Sequence, residues 1–309
     1  MIVDLPNTTV SKISKSLVKI REQGGAVALG RVLTLVIQTN SEEAEPAIEA
    51  ANAASREHPS RIIVLIESTE KLEPRLDAEI RVGGDAGASE VIVLKAFGAV
   101  ANHPQSLVTG LLLPDAPVVA WWPGIVPGTV SQSPIGKIAT RRITDALAQP
   151  DPIKFLGGLA KSYSPGDSDF SWTRLTLWRA QLAALLDQPP YESVDSVDLV
   201  GDLANPSVVL LSAWLKQQLD CPVLATHREE SNGVKGVYLV RLNRKNSSIE
   251  ILRDQSNIAV LSQTNQPSKE LSLPVRSLRD CLAEDLRRLD PDLGFEKVIT
   301  KAFPAMEIG

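Results

Sequence analysis

The residues with the most chemical potential lie in one stretch, YSPGDSDFSWTRLTLWRAQLAALLDQPP, between Tyr163 and Pro190. Asp167 and Asp169 stand two positions apart at the predicted start of a helix, and paired carboxylates can bind a metal ion or move protons. The same acids can instead cap the free N–H groups of the helix and meet the positive end of its dipole. Because one N-cap stabilises a helix by about 1 kcal/mol, we favour capping.

Four of the five tryptophans of the chain lie in its central part: Trp121, Trp122, Trp172 and Trp178. Trp172 and Trp178 follow the spacing of the leucines in the predicted helix, so burial in a core explains them. Trp121 and Trp122 are adjacent in a predicted strand, so their side chains point to opposite faces. One of them is therefore expected in a second packing layer or as an exposed anchor of the kind enriched at protein interfaces.

Four arginines accompany these tryptophans in the sequence: Arg141, Arg142, Arg174 and Arg179. A planar guanidinium can stack on a tryptophan ring and can bind a carboxylate or a phosphate through two hydrogen bonds. Arg141 and Asp145 have the i,i+4 spacing of a helical ion pair. Two interpretations stay open, namely a salt-bridge network with Asp145 and the two acids of the opening stretch, or a surface that binds a ligand or a partner.

Standard catalytic motifs are absent from the sequence. It has no G-x-G-x-x-G after a predicted strand, no complete phosphate-binding P-loop, no G-x-S-x-G and no H-E-x-x-H. The three histidines, His58, His103 and His227, are widely separated, so a histidine-centred triad or metal site is not expected. Cys221 and Cys281 form no CxxC pair and are expected to be reduced, buried residues. The sequence therefore predicts no catalytic group, no cofactor and no metal.

The elements that must position these residues alternate in type through the first half of the chain. Apolar, β-branched runs at 31–40 and 61–68 predict buried strands, and the intervening helix, with Ser41 as its N-cap, completes a parallel βαβ unit. Further strands are predicted at 75–82, as an antiparallel edge, at 89–100, and at 117–123 as the last. These elements predict a three-layer α/β domain with a mixed sheet.

The second half of the chain has the pattern of an α+β domain with an antiparallel sheet. A helix predicted to begin at Ser133 and to continue to about residue 147 precedes the domain boundary, and a long helix is predicted after it at about 168–188. An antiparallel meander is predicted from four strand-like runs joined by tight polar connectors, the first being CPVLATHRE and the last NIAVLSQ. We predict an N-terminal domain at 1–155 and a C-terminal domain at 156–309.

Composition excludes several classes of protein. The 309 residues are 43% hydrophobic and 22% charged, which is enough for packed cores and two domains. The net charge of -5, with no basic block, does not favour nucleic-acid binding. No apolar run approaches the roughly 18 residues of a membrane span, and the N-terminus, with Ile13, Leu17 and Ile20 at helical spacing, resembles an amphipathic helix rather than a secretory signal. We expect a cytoplasmic protein.

Three long segments resemble one family: LLLPDAPVVAWWPG, IGKIATRRITDA and the opening stretch. Together they are similar to the OpcA family, the glucose-6-phosphate dehydrogenase assembly proteins of actinobacteria and cyanobacteria, and the resemblance extends over the whole chain. It implies a non-enzymatic protein that associates with glucose-6-phosphate dehydrogenase, promotes its active oligomer and raises its activity in the oxidative pentose phosphate pathway, which makes NADPH. We expect a contiguous partner-binding patch built from Trp121, Trp122, Arg141, Arg142, Asp167, Asp169, Trp172, Arg174 and Arg179.

An alternative function belongs to another class. The chain would be a sensor that binds a sugar-phosphate effector, or an enzyme without a recognised motif, with Arg141, Arg142 and Arg174 as a phosphate clamp. Direct binding of glucose 6-phosphate or 6-phosphogluconate to the isolated protein would distinguish this alternative from the assembly role.

Overall fold

The computed structural model describes residues 1–23, 31–67, 73–83, 90–189, 191–229, 235–255 and 257–306. The chain folds into two compact units, each built from several sequence segments. The first unit comprises Met1–Ala148, Ser164–Ser168 and Leu278–Pro291, and the second comprises Gln149–Tyr163, Asp169–Ser277 and Asp292–Gly309. The division into sequence domains at 1–155 and 156–309 stays a prediction.

The first unit is built on an eight-stranded mixed sheet. Its strands are β1 (Ile2–Leu5), β2 (Leu33–Thr39), β3 (Ser60–Glu67), β4 (Arg75–Arg81), β5 (Glu90–Phe97), β6 (Val118–Trp121), β7 (Arg141–Thr144) and β8 (Asp167–Asp169). Their spatial order is β1-β4-β5-β3-β2-β6-β7-β8. The pairs β5–β3, β3–β2, β2–β6 and β6–β7 are parallel. By contrast, β4 pairs antiparallel with β5, and β1 pairs antiparallel with β4.

The helices described in this unit are α1 (Val10–Gln23), α2 (Ala44–Ala54), α3 (Pro104–Thr109) and α8 (Leu278–Arg287). The predicted βαβ unit is confirmed, because β2 and β3 are parallel and joined by α2. All seven residues of β2 are buried, as expected for a central strand covered on both faces. The predicted N-cap Ser41 is wrong, since the N-cap position is Glu43, and Asn40 Oδ1 accepts hydrogen bonds from the N–H groups of Glu42 and Glu43, each at 2.9 Å.

Two further predictions for this unit are wrong. The strand β4 is not an edge, because the unpredicted strand β1 pairs with its outer side. The helix predicted from Ser133 is replaced by short 3-10 turns and by β7, which pairs with β6 and follows it in the sheet. In β7, pairing with a neighbouring strand outweighs a helical apolar spacing, because the gain from a buried ladder exceeds weak local preferences.

The second unit holds a six-stranded sheet with the order β10-β9-β11-β12-β13-β14. Its strands are β9 (Ser196–Gly201), β10 (Val223–His227), β11 (Val237–Asn243), β12 (Ser248–Leu252), β13 (Ile258–Gln263) and β14 (Lys269–Ser272). Its helices are α4 (Pro152–Ser162), α5 (Phe170–Thr173), α6 (Thr176–Leu186), α7 (Pro206–Leu219) and α9 (Leu293–Lys297), the last followed by a π-helical turn at Val298–Ala302.

This sheet is antiparallel except at one edge. The strands β9 and β10 pair in parallel and are joined by α7, whereas the meander runs from β11 to β14. The predicted meander is therefore wrong at its first strand. The predicted helix at 168–188 is interrupted between α5 and α6, and β8 precedes it. The α/β fold class with a mixed N-terminal sheet and an α+β second half is confirmed. No helix in the described ranges is long and apolar enough to cross a membrane.

Candidate functional site

The sheet of the first unit has a topological switch point at the carboxyl ends of β2 and β6. From β2 the chain crosses through α2 to β3 on one side, while β6 lies on the other side. In open α/β sheets this crevice is the usual place for a nucleotide or another ligand. The residues that follow β2 and β6 therefore decide whether the chain can hold a cofactor in the usual way.

The switch point is filled by the chain's own side chains. Trp122, 1% exposed, donates from Nε1 to Gln38 Oε1 at 2.9 Å, and its backbone N–H donates to Ile143 O at 3.0 Å. The carboxylate of Glu43 lies against the backbone of Gly124, where an added Cβ would stand 1.9 Å from Glu43 Oε2. The tryptophan and the glutamate thus fill part of the crevice at which an open α/β sheet would hold a ligand.

The first turn of α2 also disfavours phosphate. A helix N-terminus binds anions through free N–H groups and the positive end of its dipole. Here the side chain of Asn40 already accepts the N–H groups of Glu42 and Glu43. The carboxylates of Glu42 and Glu43 add negative charge at the same helix end, whereas that of Glu45 is paired with Arg81. Two N–H groups at this helix end are therefore already bonded, and the nearby carboxylates do not favour a phosphate.

Arg142 is bound within the first unit through almost its whole guanidinium. It forms an ion pair with Asp167 and donates from Nη1 to Ala139 O at 2.9 Å and from Nη2 to Pro165 O at 2.6 Å. Asp167 Oδ2 also accepts the N–H of Ser164 at 2.8 Å. Burial raises the pKa of the Asp167 carboxyl, and the hydrogen bonds and charge of Arg142 offset part of that rise. Arg142 therefore fixes the turn that precedes β8.

Arg141 forms a second buried cluster in the same unit. Its Nη2 is ion-paired with Asp285 on α8 and donates to Ser168 Oγ at 3.2 Å, and its Nη1 donates to Asp290 O at 3.0 Å. Ser168 Oγ in turn donates to Asp285 Oδ1 at 2.8 Å. All three sequence segments of the first unit thus meet at one carboxylate. The salt-bridge interpretation of the two arginines is confirmed, but the acid that pairs with Arg141 is Asp285, not Asp145.

The remaining predicted residues lie in the second unit. Asp169 caps α5 by accepting the N–H of Ser171 at 2.8 Å, which confirms capping for this acid. Trp172 donates from Nε1 to Asp292 Oδ2 at 2.9 Å, and Arg179 stacks on its ring with Cζ 3.7 Å from the centroid. Arg174 lies 6.0 Å from the ring centroid of Phe170.

Burial separates the nine predicted partner-binding residues into two groups. The buried group consists of Trp121, Trp122, Arg141, Arg142, Asp167, Asp169 and Trp172. Arg174 and Arg179 are half-buried. Both adjacent tryptophans, 0% and 1% exposed, fit the packing alternative rather than that of an exposed anchor.

Sequence reasoning missed three residues that complete these clusters: Gln38, Asp285 and Asp292. Gln38 and Asp285 carry no local signal, because their partners lie 84 and 144 residues away in the chain. Asp292 had a signal, since an Asp before Leu-Gly-Phe is a typical N-cap, and its Oδ1 accepts the N–H groups of Gly294 and Phe295.

The histidines and cysteines form no site in the described ranges, which contain no group of three or more His, Cys, Asp or Glu residues suited to a metal ion. His227 is exposed, and its Nδ1 lies 3.8 Å from Asp202. Cys281 is buried as predicted, whereas Cys221 is half-buried, and burial raises the pKa of its thiol.

Comparison with solved structures returns oxidoreductases of low similarity. A 3-ketoreductase from Actinomadura kijaniata, in complex with NADP, has 8% sequence identity and a TM-score of 0.49, covering 89% of this chain and 96% of its own. An oxidoreductase from Sinorhizobium meliloti has 12% identity and a TM-score of 0.44, covering 88% of each chain. With TM-scores below 0.5, these likenesses carry no functional inference. No curated protein matches the sequence.

Family models match most of the chain. The model for the N-terminal domain of the glucose-6-phosphate dehydrogenase subunit, of the OpcA assembly type, matches residues 51–161. The model for the C-terminal domain of the same type of subunit, also of the OpcA family, matches residues 165–299. The chain therefore belongs to the OpcA family of glucose-6-phosphate dehydrogenase assembly proteins, as its three central segments predicted.

Proposed function

We propose that this chain is a non-catalytic, cytoplasmic subunit that binds glucose-6-phosphate dehydrogenase, promotes its active oligomer and so increases NADPH production in the oxidative pentose phosphate pathway. The observation that carries the proposal is the match of both family models, which are named for a subunit of that enzyme. The absence of nucleic-acid-binding charge and of standard catalytic motifs in the sequence supports the same role.

The filled switch point supports the non-catalytic part of the proposal. A dehydrogenase of α/β type holds its dinucleotide at this crevice, with phosphates on free N–H groups of a helix. Here Trp122 and Gln38 bond to each other, and Glu43 lies against Gly124. A chain built this way acts on the reaction through its partner rather than through a bound nucleotide.

Activation needs only a difference in affinity. If the chain binds the active oligomer of the dehydrogenase more tightly than its inactive form, the population shifts toward the active oligomer by that ratio. A tenfold shift corresponds to about 1.4 kcal/mol, which is the scale of one good interface contact. No chemical step in this chain is required.

The nine residues stay our proposal for partner binding, with roles divided by burial in each unit. Among the seven buried side chains, Arg142, Asp167 and Asp169 bond to the backbone of neighbouring turns. Arg174 and Arg179 retain side-chain surface for a partner. Beside the buried tryptophans, the loop that follows β6 presents Ile125 with 69% of its surface exposed. An exposed isoleucine on a loop anchored by Glu43 against Gly124 is suited to an apolar contact.

The test is the rate of NADP reduction by the same organism's glucose-6-phosphate dehydrogenase, with and without this chain, at several substrate concentrations. We expect a lower KM or a higher kcat, together with a larger complex on size-exclusion chromatography. Ile125→Asp should weaken both effects, whereas the matched control Leu293→Asp, at a leucine that is 65% exposed, should not. Unchanged rate and no co-elution with the wild-type chain would refute the proposal.

The structure gives the sugar-phosphate alternative no support. The guanidinium of Arg142 is paired with Asp167 and with backbone carbonyls, and that of Arg141 with Asp285, Ser168 and a carbonyl. A phosphate would have to displace these buried ion pairs, which costs more than a surface clamp would. An increase in melting temperature with glucose 6-phosphate would restore this alternative.

A further inference from the structure

Within the described ranges, the six-stranded sheet of the second unit ends on one side in β10, whose residues are half-buried or exposed. β10 pairs with β9 only, so within the described ranges its other side has no strand partner. Leu224 is 67% exposed, and Thr226 and His227 are partly or fully exposed as well. An unpaired strand edge offers a row of N–H and C=O groups to any strand that can reach it.

β10 lacks the features that usually protect an edge. Natural edge strands carry charged side chains, prolines or bulges that prevent pairing with another chain. The five residues of β10, VLATH, contain no Lys, Arg, Asp, Glu or Pro, and their register with β9 has no bulge. The opposite edge of the same sheet differs, because β14 carries Lys269 and Glu270 and is one residue shorter.

The free hydrogen-bonding groups of β10 can be assigned from its pairing with β9. Pro222 O accepts from Val197 N, and Arg228 N donates to Gly201 O, so even-numbered residues point their backbone groups toward β9. Because these groups alternate along a strand, those of Val223, Ala225 and His227 point to the free edge.

We propose that β10 pairs antiparallel with β10 of a second copy of this chain, about a two-fold axis at Ala225. The pairing would place Ala225 opposite Ala225, Val223 opposite His227 and Leu224 opposite Thr226, and it would form about six backbone hydrogen bonds. The two sheets would continue as one, in an isologous interface.

Charge favours a second copy over other occupants. In this register only Ala225 lies opposite its own symmetry mate, while Val223 faces His227 and Leu224 faces Thr226. Like charges directly opposite are destabilising, and no such pair forms here. β10 has no permanently charged side chain, so it can pair with itself without this cost. Leu224 becomes covered at the seam in both copies. One strand pair buries less than the roughly 800 Å² per partner of a standard interface, so we expect a weak dimer with a micromolar dissociation constant.

The experiment is sedimentation velocity of the full chain alone, from about 1 to 200 µM, with hydrogen exchange at the same concentrations. We expect a reversible monomer–dimer equilibrium, and slower exchange of the Val223, Ala225 and His227 amides as the concentration rises. A chain that stays monomeric at 200 µM would overturn the proposal. Protection of β10 that appears only when the dehydrogenase is added would overturn it as well, since the strand would then pair with another protein.

Two variants localise the contact. Leu224→Lys places a charge at the seam, and Ala225→Pro removes an outward N–H at a position where an edge strand tolerates proline. Each should raise the dissociation constant at least tenfold, with circular dichroism and melting temperature confirming the fold. Leu293→Lys, at a leucine of similar exposure outside the strand, should leave the constant unchanged. Dimers of unchanged affinity in both β10 variants would contradict the pairing.

Discussion

Substitution of Asp285 by Ala tests the buried cluster that joins the three segments of the first unit. Asp285 on α8 is 4% exposed and pairs with Arg141, also 4% exposed, while Ser168 donates to the same carboxylate oxygen at 2.8 Å. The substitution leaves a buried guanidinium without its counter-charge. A buried charge without a partner is costly, because it has lost the solvation of water and gains no compensating interaction.

The expected loss can be given as a free energy and as a temperature. Removal of one partner of a buried ion pair destabilises a protein by about 3–5 kcal/mol. In a protein of 150–250 residues each kcal/mol lowers Tm by about 2–4 °C, so the transition of the first unit should fall by roughly 6–20 °C. The Arg141 Nη1 bond to Asp290 O remains in the variant, so we expect the lower half of this range.

The assay is thermal unfolding followed by circular dichroism, with two controls. Glu57→Ala removes an exposed ion pair, with an N–O distance of 2.8 Å, to Arg287 on the same helix α8, and should change Tm very little. The double variant Arg141→Met/Asp285→Leu replaces both charges by apolar groups and should recover most of the loss, since a buried pair and its apolar replacement are often equally stable. A Tm of Asp285→Ala within about 2 °C of wild type would refute the reasoning, and so would a double variant no better than the single one.

Two further contrasts follow from the geometry. Trp122→Phe removes the indole N–H that donates to the buried Gln38 Oε1 and should cost about 0.5–1.5 kcal/mol beyond the loss of ring area. Trp178→Phe is the matched control, because its buried Nε1 has no hydrogen-bond partner in the described chain, and equal losses in the two variants would contradict the argument. Gly166→Ala should destabilise strongly, because φ is +96° and the new Cβ would lie 2.3 Å from Thr140 O. Gly157→Ala lies inside a helix with no atom within 4 Å of the new Cβ, so it should instead raise the free energy of unfolding by about 0.5–1 kcal/mol. Urea unfolding that gives Gly166→Ala and Gly157→Ala the same stability would refute this interpretation of the backbone.

Elements with a strong local signal were predictable from the sequence. The apolar, β-branched run that became β2 needs burial on both faces, and all seven of its residues are buried. The helical spacing of Ile13, Leu17 and Ile20 predicted α1, and all three side chains are buried. In each case a single segment determines its own structure.

Elements that depend on distant partners were not predictable in the same way. The stretch that begins at Ser133 carries Ile135, Ile138, Ala139 and Leu147 at a helical spacing, but pairing with β6 sets the conformation of β7 within it. β4 became an internal strand because the short strand β1 reaches it from the N-terminus. The acid that pairs with Arg141 could not be identified either, because Asp285 is one of many acids in the chain and lies 144 residues away.

The central arginines, acids and tryptophans suggest binding chemistry by their types, yet most of them hold the protein together. Apolar packing is non-directional, so it does not by itself fix how separate chain segments align. Hydrogen-bonded ion pairs are directional, and Arg141 and Arg142 place them where the segments of the first unit meet. Substitutions at these two residues will therefore change stability before they change any contact with a partner. Tests of the proposed partner contacts should begin at the half-buried Arg174 and Arg179 and, separately, at the exposed Ile125. A loss of the proposed activation without a loss of Tm would identify a contact directly.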